Sequence, residues 1–446
     1  MIYFDKITLN DVFCLLFFLL INSFFGYAQT GPGGVGASDG TSSLAIWLRS
    51  DDVDADGGIA DNPINGAAIS QWSDASGNNN NFNQTGANRP SYNTTGAFNA
   101  VNFNSSLATP QFMNGTIAGS FSNASTYFVL NPVNTGNSHS LFDNTTISLR
   151  VEQWFNTGRV GITRYGVADY ATTIGSPFNQ NSIISYHKTG GSANVDVRVN
   201  GVTQVLNIGS AAAGLPYDRI GRNSTGADEA SGDFFEVILY NNSLNTAQTI
   251  IVDNYLSAKY ASISIPVNVY NEDDVAAGNY DFDVAGIGRM NASNLHTDAQ
   301  GTGIVRILNP GNLNNNEFLM WGHDNGSLLF NNSTDIPAKI VNRLDRVWRI
   351  SEVNTSGAAV DVGSVDVRFD LTGLGTITAS DLRLLVDTDN DGVFNDETPI
   401  INAVSLGSNV YGFIGVTSFS DNVRYTLAIG MRTVITNRNI TYRVDN

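Results

Sequence analysis

The chain has 446 residues, a formal net charge of −18 and a sequence pI near 4.4. A chain of this length can bury two hydrophobic cores. Its acidity disfavours nucleic acids and anionic membrane surfaces as partners, because both require basic patches. Only 14% of the residues are charged, so much of the polar surface must consist of Asn, Ser, Thr and Gly.

Residues 1–28 have the layout of a secretory signal peptide. Lys6 precedes an apolar run over residues 12–25, and Gly26-Tyr27-Ala28 places small residues before a cleavage site. The run is shorter than the roughly 20 apolar residues that span a bilayer; a buried N-terminal helix is the alternative. We expect a secreted or outer cell surface protein whose mature form lacks thiols and disulfides, because Cys14 is the only cysteine.

A first domain is predicted over residues 41–261, after a flexible leader at residues 29–40 that is rich in Gly, Ser and Asp. Short strands separated by turn-forming residues are typical of a β-sandwich. The clearest hairpin joins residues 195–199 to residues 202–206 through Asn200-Gly201. Asn-Gly favours such a two-residue turn, because both positions need a positive φ.

One helix is predicted, from Thr246 to Tyr260, after a strand over residues 234–240 whose alternation is less regular. Asn245 is the predicted N-cap, and Lys259 in the last turn complements the helix dipole. Helical spacing predicts one mostly apolar stripe that packs on the sheet. Its residues are Ala247, Ile250, Ile251, Asn254, Tyr255 and Ala258.

A second β-domain is predicted over residues 267–430, followed by a C-terminal tail at residues 431–446. Between Val365 and Leu371 apolar residues alternate with charged ones, which predicts a strand with one solvated face. No helix of comparable strength is predicted here. The other strand candidates are residues 303–308, 317–321, 346–351, 382–386 and 424–429.

Motifs in both domains carry a family resemblance. In their order, residues 44–49, 72–77, 89–92, 101–103, 199–202, 219–222 and 235–240 resemble a LamG, or concanavalin A-like, jelly-roll sandwich. Residues 281–289, 318–326, 346–349 and 384–387 are similar to an uncharacterised β-domain of exported, Bacteroidota-type surface proteins. The resemblance implies an all-β fold: a jelly-roll sandwich with one C-terminal helix, then a second β-sandwich-like domain. It implies no assigned activity.

The strongest chemical signal is the acidic run from Asp387 to Glu397. Its alternating carboxylates before Gly392 match the first half of an EF-hand loop, although Thr398 occupies the position of the final Glu. Like charges this close repel each other without a cation, so calcium is the expected cofactor; a solvated hairpin loop is the alternative. The predicted ligands are Asp387, Asp389, Asp391, the Val393 carbonyl, Asp396 and Glu397.

Two further acidic groups are weaker candidates for a metal site. The first is a loop whose spacing reads as irregular, formed by Asp51, Asp52, Asp54, Asp56 and Asp61. The second is looser, and its last two members are predicted to lie in a strand: Asp273, Asp274, Asp281 and Asp283.

No catalytic machinery is predicted. Glu236 lies in a strand, but it lacks the acidic partners that concanavalin-like glycoside hydrolases carry two and five residues away. The four histidines do not have zinc-site spacing, and His323 is expected to shape a turn. Trp47 and Trp348 are expected in cores, and Trp154 is the least certain of the tryptophans.

The predicted function is a non-catalytic binding or adhesion protein. Its partner would be a polysaccharide or a cell-surface protein, engaged through loops at one edge of the jelly roll. The alternatives are a structural surface protein without a small ligand and a glycoside hydrolase. No nucleic acid partner and no membrane-spanning segment of the mature chain are expected.

Overall fold

The computed structural model describes residues 29–153, 157–260 and 263–431. The predicted signal peptide, Trp154 and the tail beyond Met431 lie outside these residues. The described residues form an almost entirely β structure with one α-helix, which confirms the predicted fold class. No helix within these ranges is long and apolar enough to cross a membrane. Short 3-10 helices lie at Pro32–Gly34, Gly86–Asn88, Val275–Ala277 and Ala379–Asp381.

The first part of the chain forms two large antiparallel sheets that pack face to face. Sheet 1 has the order β15-β14-β13-β8-β18-β5-β4, with β1 also paired to β18, and sheet 2 has the order β12-β11-β10-β9-β17-β6-β3-β2. The strands are β1 (Leu44–Arg49), β2 (Gln71–Trp72), β3 (Phe82–Asn83), β4 (Ser91–Asn93), β5 (Ala100–Phe103), β6 (Met113–Gly115), β7 (Ser120–Phe121), β8 (Ala124–Pro132), β9 (His139–Asp143), β10 (Ile147–Glu152), β11 (Arg159–Arg164), β12 (Ala168–Gly175), β13 (Ser182–Lys188), β14 (Asn194–Val199), β15 (Val202–Asn207), β16 (Leu215–Pro216), β17 (Arg219–Ile220) and β18 (Gly232–Tyr240).

The predicted Asn-Gly hairpin is confirmed. It joins β14 to β15, and Asn200 and Gly201 both have positive φ angles, of 48° and 76°. The less regular alternation of β18 also has a structural cause. The register between β18 and β8 shifts between Phe234 and Glu236, as expected of a β-bulge, which inserts an extra residue and so interrupts the alternation of faces.

The second part of the chain forms another two-sheet sandwich. Sheet 3 has the order β20-β19-β23-β25-β30-β24, with β27 on the other side of β30, and sheet 4 has the order β21-β22-β26-β29-β28. The strands are β19 (Phe282–Asn291), β20 (Asn294–His296), β21 (Asp298–Ala299), β22 (Val305–Leu308), β23 (Glu317–His323), β24 (Ile340–Arg343), β25 (Trp348–Asn354), β26 (Val365–Asp370), β27 (Leu382–Val386), β28 (Val404–Gly407), β29 (Val410–Val416) and β30 (Arg424–Gly430).

The helix α1 (Thr246–Lys259) lies between the two sandwiches. Asn245 caps it as predicted, and Gln248 completes a capping box. The prediction of a single apolar stripe is wrong, because residues on all sides of α1 are buried. One side packs on sheet 1 and the other on sheet 3, so both faces need partners.

Alternate residues of the central strands therefore belong to different cores. In β8, Phe128 points into the core of the first sandwich and Tyr127 into the core around α1. In β23, Trp321 points into the core of the second sandwich and Met320 towards α1. Strands that are buried on both faces have nearly continuous apolar sequences. The layers follow the order sheet 2, sheet 1, α1, sheet 3 and sheet 4.

The prediction of a flexible leader at residues 29–40 is also wrong. Val35 and Ala37 are each only 1% exposed, and the Gly34 carbonyl accepts a hydrogen bond of 2.9 Å from His296 Nε2. Gly33 and Gly34 pass close to α1 and to Ala299. A glycine-rich sequence predicts a flexible segment. Here, because glycine has no side chain, the backbone can pack closely against its neighbours.

Candidate functional site

A cleft lies at the junction of the two sandwiches, beside the last turn of α1. Its volume is about 470 Å³, and it combines aromatic rings with charged and polar groups. The residues come from distant parts of the chain: Arg49, Ser50, Asp51, Ile59, Ala97, Phe98, Asn99, Tyr255, Lys259, Tyr260, Asp281, Phe282, Asp283 and Thr302. Ligand sites occur preferentially at domain interfaces of this kind.

Glu236 is fully buried and contacts three residues that line this cleft, Tyr255, Lys259 and Tyr260. Its carboxylate accepts hydrogen bonds from Trp47 Nε1 at 2.6 Å, from Tyr260 OH at 2.8 Å and from Tyr255 OH at 3.0 Å. Lys259 Nζ lies 2.8 Å from the same carboxylate. Both oxygens of Glu236 are thus engaged in linking β18, β1 and α1, which is a positioning role.

Asp51 extends this network to the cleft surface. Its carboxylate lies 3.2 Å from both Arg49 Nε and Lys259 Nζ. Burial opposes its ionisation, but the two cations hold the pKa of Asp51 well below its ordinary value. Lys259, predicted only to complement the helix dipole, therefore joins α1 to β1 and β18.

The opposite wall of the cleft contains Asp283, which contacts the buried His323. Asp283 Oδ2 lies 2.8 Å from His323 Nε2, while His323 Nδ1 accepts a hydrogen bond of 3.0 Å from the Asn325 backbone N–H. His323 ends β23, and the turn-shaping role proposed for it stays a prediction. Burial disfavours ionisation of Asp283, but the hydrogen bonds from His323 and Thr302 outweigh it and lower its pKa.

Asp281 differs from its neighbours on the cleft wall. Burial raises its pKa above the ordinary value, and its Oδ1 has no hydrogen-bond partner within the described ranges. Asp281 also borders a second cavity of about 560 Å³, which Asp273 and Asp274 line as well. The loose acidic group of the sequence thus surrounds the domain junction.

The acidic loop after β27 brings three of the predicted calcium ligands together. One carboxylate oxygen each of Asp387, Asp389 and Asp391 lies within 4.8 Å of the others. Asp387 is fully buried, and its Oδ2 lies 3.2 Å from Arg424 Nη1 and accepts a hydrogen bond of 3.0 Å from the Gly392 backbone N–H. Convergent carboxylates suit a hard cation such as calcium.

The other three predicted ligands are placed differently. Glu397 Oε1 accepts a hydrogen bond of 2.5 Å from the Thr388 backbone N–H and so closes the loop. Asp396 is exposed and, like the Glu397 carboxylate, is not among the three convergent carboxylates. Ligation by Asp396, by Glu397 and by the Val393 carbonyl stays a prediction.

A second group of three convergent carboxylates lies in the loop after β1. One oxygen each of Asp52, Asp54 and Asp56 lies within 4.8 Å of the others. The spacing of this loop appeared irregular only because Asp51 was included in it. Counted from Asp52, the alternation followed by Gly57 repeats the spacing of the loop at Asp387, and the sequence alone contained this signal.

The described tryptophans are all core residues. Trp47, Trp72, Trp321 and Trp348 are at most 2% exposed, which confirms the expectation for Trp47 and Trp348. The cleft instead carries phenylalanine and tyrosine rings. Phe282, stacked on His323 with a centroid distance of 5.9 Å, is 42% exposed.

A family described as "Domain of unknown function (DUF8202)" matches residues 251–422. The match begins inside α1 and continues through most of the second sandwich. No curated protein matches the sequence.

Several solved structures are similar to parts of the chain. Domain 4 of AbnA, a GH43 extracellular arabinanase from Geobacillus stearothermophilus, solved with arabinotriose, is 17% identical over 47% of this chain and 97% of its own, with a TM-score of 0.33. A SAP-like pentraxin from Limulus polyphemus is 13% identical over 36% and 83%, with a TM-score of 0.28. The CBM40 domain of a Ruminococcus gnavus sialidase, bound to α2,3-sialyllactose, is 14% identical over 29% and 80%, with a TM-score of 0.24. Such low values assign no ligand to this chain.

Proposed function

We propose that this protein is a secreted or cell-surface carbohydrate-binding protein, without catalytic activity, whose glycan occupies the cleft between its sandwiches. The observation that carries the proposal is the composition of that cleft. Phe98 and Phe282 offer apolar ring surface, while Arg49, Asp51 and Asn99 offer hydrogen-bonding groups. A pyranose presents the complementary chemistry, because apolar C–H faces alternate with hydroxyl groups around its ring.

The unpartnered oxygen of Asp281 supports a hydroxylated ligand. A buried carboxylate oxygen without a donor costs about 1–3 kcal/mol, and a sugar hydroxyl would supply a donor for Oδ1 of Asp281. The cleft is also lined by loops at one edge of the first sandwich, where the jelly-roll resemblance places a binding site. The signal peptide predicted for residues 1–28 supports a ligand outside the cell.

Glycan arrays test this proposal directly. We expect the mature chain, applied with calcium to plant, algal and host glycans, to bind one class saturably. Replacing Phe282 with Ala should weaken that binding at least about tenfold, since aromatic anchors dominate such sites. The measurement is the apparent Kd on the array and in solution.

The matched control is Leu406→Ala in β28. Leu406 is 43% exposed, close to the 42% of Phe282, but it lies on an edge strand of sheet 4 away from the cleft. Its replacement should leave the Kd unchanged. Silence across all glycans, or equal affinity of the Phe282→Ala protein, would contradict the proposal and leave a structural surface protein as the interpretation.

Glycoside hydrolysis is the second candidate, because the carboxylates of Asp51, Asp281 and Asp283 line the same cleft. The pKa of Asp281 is raised, whereas the pKa values of Asp51 and Asp283 are lowered. Opposite shifts of this kind separate an acid from a base in hydrolases. Release of reducing ends from the bound glycan, abolished by Asp281→Asn, would establish hydrolysis in place of binding alone.

We further propose that calcium stabilises the second sandwich at Asp387, Asp389 and Asp391. Three carboxylates within 4.8 Å repel each other, and Arg424 offsets only part of that charge. A calcium ion would supply the remaining positive charge and accept oxygen ligands from each residue. The Val393 carbonyl, Asp396 and Glu397 are the further ligands proposed from the spacing.

Thermal unfolding of the mature chain tests the calcium proposal. Calcium at about 100 times its Kd should stabilise the fold by about 2.7 kcal/mol per site relative to chelator. The double variant Asp389→Asn/Asp391→Asn should lose the contribution of this loop, whereas Asp345→Asn, a half-buried aspartate outside it, should not. An unchanged calcium-dependent shift in the double variant would exclude this site.

A further inference from the structure

The loops after β1 and after β27 have the same spacing of three alternating aspartates, a following glycine and a later aspartate. Asp52, Asp54, Asp56 and Gly57 occupy the spacing of Asp387, Asp389, Asp391 and Gly392, and Asp61 corresponds to Asp396. The correspondence runs over ten residues from the first aspartate.

The backbone of the two loops matches too. Ala55 and Asn390, at the fourth position, both have a φ of 59°, and Gly57 and Gly392 have φ angles of 89° and 93°. The Gly57 N–H donates to Asp52 Oδ2 at 3.2 Å, as the Gly392 N–H does to Asp387 Oδ2 at 3.0 Å.

The eleventh position closes each loop in the same way. Asn62 Oδ1 accepts a hydrogen bond of 3.0 Å from the Val53 backbone N–H. Glu397 Oε1 accepts the corresponding bond from the Thr388 backbone N–H. The loop at Asp52 is therefore held in the shape of the loop at Asp387 by equivalent contacts.

A separate observation at Asp52 indicates a missing ligand. The side chain is only 2% exposed, and its Oδ1 has no hydrogen-bond partner in the part of the chain that the structure describes. Arg49 Nη1 lies 3.8 Å from the other oxygen, Oδ2. An unpaired buried carboxylate oxygen is unfavourable, and a cation among the three carboxylates would satisfy it.

The local charges give the same conclusion. One carboxylate oxygen each of Asp52, Asp54 and Asp56 lies within 4.8 Å of the others, so the three negative charges repel one another when no cation is bound. Without a cation, the buried carboxylate and its two exposed neighbours destabilise this loop.

We propose that the loop at residues 52–61 is a second calcium site, held by the carboxylates of Asp52, Asp54 and Asp56. Each β-sandwich then carries one calcium loop of the same design. The first loop also shapes the cleft, because Asp51 and Ile59 line it. The inference does not depend on what the cleft binds or on calcium at Asp387.

Calorimetric titration of CaCl₂ into the mature chain tests this site. The titration uses the Asp389→Asn/Asp391→Asn protein, in which the other loop is disabled. We expect about one equivalent of calcium to remain bound. Adding Asp54→Asn and Asp56→Asn should weaken that binding at least tenfold, and Asp345→Asn serves as the control. Amide hydrogen exchange over residues 52–61 should slow on calcium addition in the starting protein only.

Folding does not confound the result, because Asp54 and Asp56 are exposed and the variants should melt together in chelator. Calcium heat that survives Asp54→Asn/Asp56→Asn would overturn the proposal. The absence of any calcium heat in the starting protein would overturn it as well. Failure of the glycan experiments would not affect either outcome.

Discussion

Replacing Glu236 with Ala is expected to lower the free energy of unfolding by about 3–5 kcal/mol, because three buried hydrogen-bond donors lose their shared acceptor. Lys259 would lose its closest carboxylate, and the hydroxyls of Tyr255 and Tyr260 would lose their acceptor. Glu236 is itself fully buried, so water cannot readily replace these bonds. Denaturant unfolding, with the midpoint and the m value fitted together, measures the loss.

Two variants separate the contributions at this position. Glu236→Gln keeps the side-chain shape and one acceptor oxygen, so we expect an intermediate loss. Glu229→Ala removes a half-buried glutamate and should change stability by no more than about 0.5 kcal/mol. Equal effects of Glu236→Ala and Glu229→Ala would show that the network does not hold α1 against sheet 1.

Local signals in the sequence were sufficient for the elements that local chemistry determines. The Asn200-Gly201 turn follows from its need for positive φ, and the Asn245 cap follows from the free N–H groups at a helix start. The strand Leu382–Val386 was predicted with the bounds that the structure has. Each of these features depends on residues close together in the chain.

Features that depend on distant residues could not be predicted in this way. Helical spacing within α1 predicts one buried apolar stripe. It does not show that sheet 3, whose strands come later in the chain, covers the other side of the helix. The cleft was missed because Arg49, Phe98 and Asp281 are brought together only by the packing of both sandwiches. The loop at Asp52 is different, because its alternating aspartates can be recognised from the sequence alone when counting starts at Asp52 instead of Asp51.

The glycine segment before β1 gives the second large effect. Gly34 has a φ of +82°, and a Cβ atom there would lie 2.5 Å from the Cβ of Ala299. Gly34→Ala is therefore expected to cost about 2–4 kcal/mol, combining a left-handed backbone with an overpacked contact. A glycine in a flexible leader would show no such effect. The measurement is the shift in unfolding midpoint of the mature chain.

Matched variants separate the two causes of this loss. Gly136 has a φ of +75° with no atom within 4 Å of its added Cβ, so Gly136→Ala should cost only about 1–2 kcal/mol from the backbone. Adding Ala299→Gly to Gly34→Ala removes the atom in contact and should recover part of the loss. If Gly34→Ala costs no more than Gly136→Ala, the segment does not pack against β21. If it costs more and Ala299→Gly restores stability, residues 29–40 form part of the interface between the two sandwiches. The segment then contacts the second sandwich at Ala299, while Val35 lies in the core around α1.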